Sequence, residues 1–396
     1  MDQRINFKGG KVSTDTRLLG VGIGTLFFTV GPVQQYIVPW FDAQGRPAAA
    51  NSLLACLYLS IFACSFFTHR LIAAIGETRS LYLAKSLYTL FLFVVALGSP
   101  EMGIIAAAVC GLAASILWTT ERVLLNTLPA PEQREASAGS FYFCYYLGTA
   151  LGCLLMGALV ARWSFPLPML GSAFLSLLAL VPLLFLGPIR SDRPAAGTKM
   201  ERWPAFGATV LRVVSSVFAF RLVYGLAISR IPHEISVRWG AGSVGTASSL
   251  FFIASAFVAL FGGRLIGRCG IGATALVAIA LTLAGMALLF VGSMGWYLLL
   301  GFFVVGIGVA LMNPVEALMA GNISPPDQRL RVSSTFTLAS CLGTSSALLA
   351  GRWLAAETLY LLVGCAVAGS ACLMLPLVAR PVVELRARVQ REIHRR

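Results

Sequence analysis

Residues 111–134 read GLAASILWTTERVLLNTLPAPEQR, and residues 306–329 read GIGVALMNPVEALMAGNISPPDQR. The second stretch repeats the first 195 positions on. Gly111, Glu121, Pro131, Gln133 and Arg134 recur as Gly306, Glu316, Pro326, Gln328 and Arg329, and Glu132 is matched by Asp327. Beyond them Leu147, Gly148 and Thr149 recur as Leu342, Gly343 and Thr344. Another echo, offset by 194, links Arg70-Leu71-Ile72 and Gly76 to Arg264-Leu265-Ile266 and Gly270. An echo at half the chain length, inside long apolar segments, marks a membrane protein built from two similar halves.

Composition says the same. Of 396 residues, 58% are hydrophobic and 12% charged, which cannot furnish a water-facing surface. Apolar runs of about 20 residues, the length an α-helix needs to cross roughly 30 Å of hydrocarbon, occur near 18–41, 51–68, 80–98, 102–126, 139–161, 166–188, 207–229, 244–262, 272–292, 296–320, 332–351 and 357–378. They have helical length and lack the alternation of barrel strands. The expected fold is therefore an all-α membrane protein of about twelve transmembrane helices in two pseudo-symmetric six-helix halves. The expected divisions are an N-terminal arm (1–17), a first half (18–188), a polar linker (189–206), a second half (207–378) and a basic tail (379–396). The arm lacks a cleavable signal pattern.

The net charge of +14 is unevenly spread. If the spans alternate, one side holds four Lys and Arg in the arm, eleven in the inner loops and six in the tail, against five on the other side (Arg46, Arg162, Arg230, Arg238, Arg352). The positive-inside bias predicts cytoplasmic termini and sets the tail against anionic lipid headgroups rather than nucleic acid. Nine cysteines sit singly, mostly within spans and without a CxxC pair, and His69, His233 and His394 lie far apart. These patterns predict no disulfide, metal or cofactor. No P-loop and no Ser/His/Asp set lies in the spans, which argues against an enzyme.

Twelve spans in two related halves with a basic central loop resemble the major facilitator superfamily over essentially the whole chain. That family's signature between helices 2 and 3, G-x-L-A-D-R-x-G-R-R, is partly kept. His69–Gly76 retains Leu71 and Gly76, while Gly263–Gly270 fits better; both lack the acidic residue, at Ala73 and Gly267. The resemblance implies gating loops at Arg70, Gly76, Gly263, Arg264, Arg268 and Gly270, without the family's acidic charge relay. Ile116-Leu117-Trp118-Thr119 followed by Glu121 is similar to a pattern of the uncoordinated-ninety-three-like branch, as is the spacing from Gln34 and Gln35 through Tyr58 to Gly76. Glu121 stands where that branch has Gln, and Arg122 where it has Gly.

Charges within spans carry the functional reading. A charge at a helix centre costs roughly 2.5–3.5 kcal/mol on insertion scales, so it faces a cavity or a partner. Arg212 lies about 8 Å from its helix end, within snorkelling reach, whereas Arg221 lies some 20 Å in. Lys85, Glu121, Arg122 and Glu316 are the other candidates, read as ion-coupling or gate residues. The glutamate is present in both repeats, and a carboxylate shielded from water can carry a proton. Glu121 and Arg122 are about 100° apart on a helix and so are poor partners for each other. In the resembled fold, helices 1, 4, 7 and 10 line a central cavity, which implies a symmetric placement of Glu121 and Glu316. Arg221, Gln34, Gln35, Tyr36, Trp118, Thr119, Tyr224 and Asn313 are the expected substrate-cavity residues. Proline falls inside spans at Pro32, Pro39, Pro182, Pro314 and Pro376, where each removes a backbone hydrogen bond.

The resulting expectation is a secondary active transporter of a small organic solute, ion (proton) coupled and working by alternating access. It would be a monomer in a bacterial inner membrane, with solute and lipid as its partners. The alternative that remains open is a non-transporting regulatory or trafficking protein of the uncoordinated-ninety-three-like type.

Overall fold

The structure, a computed structural model, describes residues 14–97, 100–185, 208–292, 295–322, 329–351 and 353–395. Most of the expected arm and the expected linker lie outside these residues, as do the side chains of the basic tail. Helices account for almost all of the described chain: α1 (Thr14–Ala43), α2 (Pro47–Ile75), α3 (Glu77–Ala96), α4 (Pro100–Thr127), α5 (Arg134–Trp163) and α6 (Pro166–Leu184). The second half begins with α7 (Ala208–Ile228) and a short extension, Arg230–Trp239. The helical stretch Ala241–Val291 breaks at Gly270 into α8 (241–269) and α9 (271–291). Then follow α10 (Gly295–Asn322), α11 (Arg329–Ala350) and α12 (Ala356–Arg395). Eleven stretches are long and apolar enough to span a membrane. The break in the longest makes twelve spans, six to each half. Successive helices are antiparallel, so one end of the bundle carries both chain termini and is called here the terminal side. On the opposite side, Trp163, Trp239, Trp296 and Trp353 are exposed at helix ends, the placement of an interfacial aromatic belt.

The internal repeat is visible as repeated geometry. Gly76 closes α2 with φ 87° and ψ 156°, and Gly270 closes α8 with φ 84° and ψ 162°. A side chain with a Cβ is strained in that region, so glycine sets both corners. Each corner carbonyl accepts a hydrogen bond from a hydroxyl four residues on, Ser80 in one half (2.7 Å) and Thr274 in the other (2.9 Å). The family-like loop stretches thus form matching corners: Gly263 is buried against the Glu135 carbonyl, and Arg70, Arg264 and Arg268 are exposed.

The repeated Gly148 and Gly343 also do one job twice. Gly148 of α5 meets the Gly24 carbonyl of α1, and Gly343 of α11 meets the Phe218 carbonyl of α7, so tightly that a Cβ would collide with backbone in both halves. Bare backbone is what lets these helix pairs close on each other. Gly152 rests on the Phe28 carbonyl, which Pro32, four residues later, leaves without a helical donor. Between the halves, α5 runs along α8, with Gly139 against Gly263 near the terminal side and Gly157 against Gly245 near the opposite side. Helix α2 packs on α11 in the pseudo-symmetric position. α1 and α10 have 72% of their apolar windows buried, against 39% for α6 and 33% for α12, so the former are central and the latter face lipid.

Pro32, Pro39 and Pro314 are accommodated inside continuous helices. Pro182 is not: residues Ser176–Leu180 tighten into a 3₁₀ segment just before it.

Replacing Gly148 or Gly343 with valine should lower unfolding stability in detergent by about 1–3 kcal/mol or more, as overpacking does. Gly171→Ala, where nothing lies within 4 Å of the added Cβ, should leave the thermal midpoint where it is. Equal effects at all three positions would contradict the packing account.

Candidate functional site

A small cavity of about 50 Å³ lies where the two halves meet, midway along the bundle. Its wall is aromatic on the first-half side, where Phe27, Trp118 and Tyr145 pack with ring centroids 4.6–5.6 Å apart. Tyr224, Tyr145 and Tyr58 share one stretch of this wall. The second half supplies Arg221, Asn313 and a polar stripe on α11 made of Thr337, Ser340 and Thr344. The stripe follows from helical spacing, since positions three and four apart share a face.

Arg221 organises this wall. Its Nη2 donates to Glu316 Oε2 and to Asn313 Oδ1, each at 2.9 Å. Asn313 Nδ2 in turn donates to the Tyr146 hydroxyl of α5, tying the second half to the first. The guanidinium also stands 5.8 Å from the centre of the Tyr224 ring, a cation–π distance. Glu316 is shut away, with 2% of its side chain exposed against 16% for Arg221, so it lies behind the arginine. The chain achieves this by placing Asn313 and Glu316 three residues apart on one face of α10, opposite Arg221 of α7. Burial makes each charge costly unless it is paired and hydrogen-bonded; the Nη2–Oε2 contact and the Asn313 bond supply both, while Arg221 Nε and Glu316 Oε1 have no hydrogen-bond partner.

A second pair of charges lies away from the cavity, inside the first half. Lys85 of α3 is fully buried, and its Nζ points to the Ala179 carbonyl at 3.4 Å. That carbonyl sits in the 3₁₀ segment, where Pro182 has no N–H to give it. Gly22 of α1 leaves room for the ammonium, which a Cβ there would approach to 2.6 Å. Glu121 of α4 is 1% exposed and interacts electrostatically with Lys85 and Arg122, yet neither carboxylate oxygen has a hydrogen-bond partner. Arg122, the next residue, faces the cavity and crosses to α11, where Nη1 donates to the Thr337 hydroxyl and to the Ser333 carbonyl.

The sequence-based candidates therefore separate. Arg221, Gln34, Trp118, Tyr224, Asn313 and Arg122 line the cavity. Gln35, Tyr36 and Thr119 stand off it. Gln35 accepts a hydrogen bond from Ser248 of α8, Tyr36 lies beside Gly157 and Gly245, and the Thr119 hydroxyl lies 3.4 Å from that of Thr337. Helix rotation of about 100° per residue sends neighbouring polar residues to different surfaces. The symmetric placement of Glu121 and Glu316 is not seen: Glu316 backs the cavity arginine, while Glu121 turns toward Lys85. Arg70, Gly76, Gly263, Arg264, Arg268 and Gly270 lie at helix ends on the terminal side, remote from the cavity. Tyr58, Tyr88 and Tyr145 line the cavity as well, beyond the residues expected from the sequence. For Tyr145 the run Phe141-Tyr142-Phe143-Cys144-Tyr145-Tyr146 held the signal, because tyrosine hydroxyls far from an interface need polar partners.

Contacts join the halves on both sides of the cavity. On the terminal side Asn126 donates to the Ala317 carbonyl at 3.0 Å and packs on Gly321, its own pseudo-symmetric equivalent. On the opposite side His233 Nδ1 stands 3.2 Å from Asp42 Oδ2, and Ser248 bonds Gln35.

With this architecture in place, comparison with known proteins is decisive about class. Residues 18–232 and 213–395 match the Major Facilitator Superfamily. The chain belongs to that family and is a membrane transporter. It is similar in fold to the human organic anion transporter MFSD10 (TETRAN), with a TM-score of 0.70 and 16% identity over 91% of this chain and 98% of that one. It is similar as well to a bacterial homologue of the iron transporter ferroportin, solved in an outward-facing state with soaked iron, with a TM-score of 0.69 and 16% identity over 92% and 99% of the two chains. No curated protein gives a significant match.

Arg221→Met alone should destabilise the protein by about 3–5 kcal/mol, because it strands the Glu316 carboxylate without a counter-charge. The double variant Arg221→Met/Glu316→Leu should recover most of that loss. A denaturation cycle on the two single variants and the double reads both; strictly additive losses would show that the pair is not coupled.

Proposed function

We propose that this chain moves a small organic anion with an apolar body across the membrane by alternating access, coupled to an ion. The observation that carries the reading is the cavity wall. Two guanidiniums, Arg122 and Arg221, face the space, no carboxylate does so among the lining residues, and aromatic rings share the remaining wall with apolar and neutral polar side chains. An arginine fork reads a carboxylate, sulfonate or phosphate, and the rings suit an apolar or aromatic body. Iron is a poorer fit, since the described residues hold no group of three or more His, Cys, Asp or Glu side chains.

Alternating access is supported by the cavity's size and place. About 50 Å³ is well below the ~300–1,000 Å³ of drug-sized ligand pockets, so a solute enters only if the halves part. The contacts at the two ends are the natural places for that parting. The bias of Lys and Arg toward the terminal side supports cytoplasmic termini, and the carrier acts as a monomer.

A thermal-shift screen of purified protein against aromatic and aliphatic carboxylates, sulfonates and phosphates, with organic cations and ferrous iron as comparators, tests this. A binding anion should stabilise the folded state by about 2.7 kcal/mol at a hundred times its dissociation constant. It should lose most of that effect in Arg221→Lys, which keeps the charge but not the fork, and it should enter proteoliposomes. Stabilisation by cations or iron alone would overturn the anion assignment, and binding without flux would favour a regulatory protein.

A further inference from the structure

On the side opposite the termini, a pocket of about 500 Å³ lies apart from the solute cavity, where the extension after α7 meets the end of α9 and the start of α12. Arg230, Glu234 and Arg238 follow one another at four-residue intervals along the extension and so share one face, while Ile231 and Ile235 are buried on the other. Arg230 donates to Glu234 through Nε at 2.9 Å. From α12 come Glu357, which is exposed, and Tyr360, whose side chain is buried and whose hydroxyl has no partner at hydrogen-bonding geometry. The duplicated scaffold does not call for these charges. Counted from the matching positive-φ corners at Gly45 and Gly240, the first half has Val38, Pro39 and Ala43 where the second has His233, Glu234 and Arg238.

Two guanidiniums and two carboxylates in one pocket suit a ligand that carries both signs. A simple anion would meet Glu234 and Glu357, and a simple cation would meet the two arginines. Depth narrows the choice. The exposed Trp239, Trp296 and Trp353 flank the extension, the α9–α10 turn and the start of α12, which puts the pocket at the level of the aromatic belt, among lipid headgroups. Leu361 and Leu362, one turn into the membrane from Glu357, are exposed, as is Phe290 at the end of α9. We propose that this pocket binds the phosphoethanolamine headgroup of a membrane phospholipid in the leaflet opposite the termini. The forks of Arg230 and Arg238 take the phosphate, and the Tyr360 hydroxyl donates to one of its oxygens. Glu357 accepts from the ammonium, two methylenes away, and the acyl chains lie over Leu361, Leu362 and Phe290. A lipid seated there joins the extension to α9 and α12. The same extension carries His233, which meets Asp42 of the first half, so the lipid braces the contact between the halves on that side. The site goes beyond the transport reading and does not depend on it.

Native mass spectrometry of the full chain, titrated in detergent with phosphatidylethanolamine, phosphatidylglycerol and phosphatidylcholine of identical acyl chains, counts the bound lipid. The wild type should hold phosphatidylethanolamine about tenfold more tightly than either of the others, the worth of one charge-assisted hydrogen bond. Glu357→Gln should erase the preference over phosphatidylglycerol, and Arg238→Gln should weaken phosphatidylethanolamine by about tenfold; both positions are exposed, so neither change removes a buried group. Arg162→Gln, at the place in the first half equivalent to Glu357, should alter neither result. Equal binding of the three lipids, or a preference that survives both Glu357→Gln and Arg238→Gln, would overturn the proposal. Water-soluble glycerophosphoethanolamine, added at the same concentration, should fail to displace the lipid; full displacement would reassign the pocket to a water-borne phosphodiester and overturn the membrane source.

Discussion

A guanidinium in the middle of a membrane-spanning bundle has to be matched, and the match between Arg221 and Glu316 organises the centre of this protein. The pair fixes α7 against α10, orients Asn313, and through it holds Tyr146 of the other half. Its geometry also decides what the cavity offers. Because Glu316 sits behind the arginine, the charge presented inward is positive, and the tyrosines and Trp118 around it supply a rigid apolar enclosure. Breaking the pair by removing one partner would strand a charge in low dielectric, so the two residues can change only together.

The two halves share a backbone plan but not a charge plan. Matching glycine corners at Gly76 and Gly270, and matching close approaches at Gly148 and Gly343, show how faithfully the scaffold is duplicated. The glutamates at 121 and 316 are duplicated too, while their cations are not. The position equivalent to Arg221 is Phe27, and the position equivalent to Lys85 is Ile279. One glutamate was thereby assigned to the cavity arginine and the other to a lysine behind it. A duplicated scaffold with unduplicated charges thus gives the cavity an arginine–glutamate pair in the second half that has no counterpart in the first.

Much of this was legible in the chain. The spans, the half-length repeat and the family follow from apolar run lengths and from residues 195 apart, because lipid forces helices and helices force run length. Arg221 stood out because a charge deep in an apolar run has few explanations. Its partner did not, since Glu316 is 95 residues away and the repeat made Glu121 seem equivalent. Gln34, Gln35 and Tyr36 read as one polar cluster, yet each points to a different neighbour once α1 is wound. The tyrosine lining is hard to read for a related reason: Tyr58 and Tyr88 are lone tyrosines in apolar helices, and only the assembled bundle brings them to the wall with Tyr145 and Tyr224.

The way Arg221 is satisfied without a guest bears on the return stroke of a carrier. Glu316 and Asn313 already hold the guanidinium, so its charge does not wait on a guest for a counter-ion. Under the transport reading proposed above, a carrier built this way is expected to pass through its shut state unloaded and come back for another passenger. Were the arginine dependent on cargo for neutralisation, the unloaded form would be expected to stall, and only exchange of one solute for another would remain. On that reading the internal ion pair favours net movement over obligatory exchange.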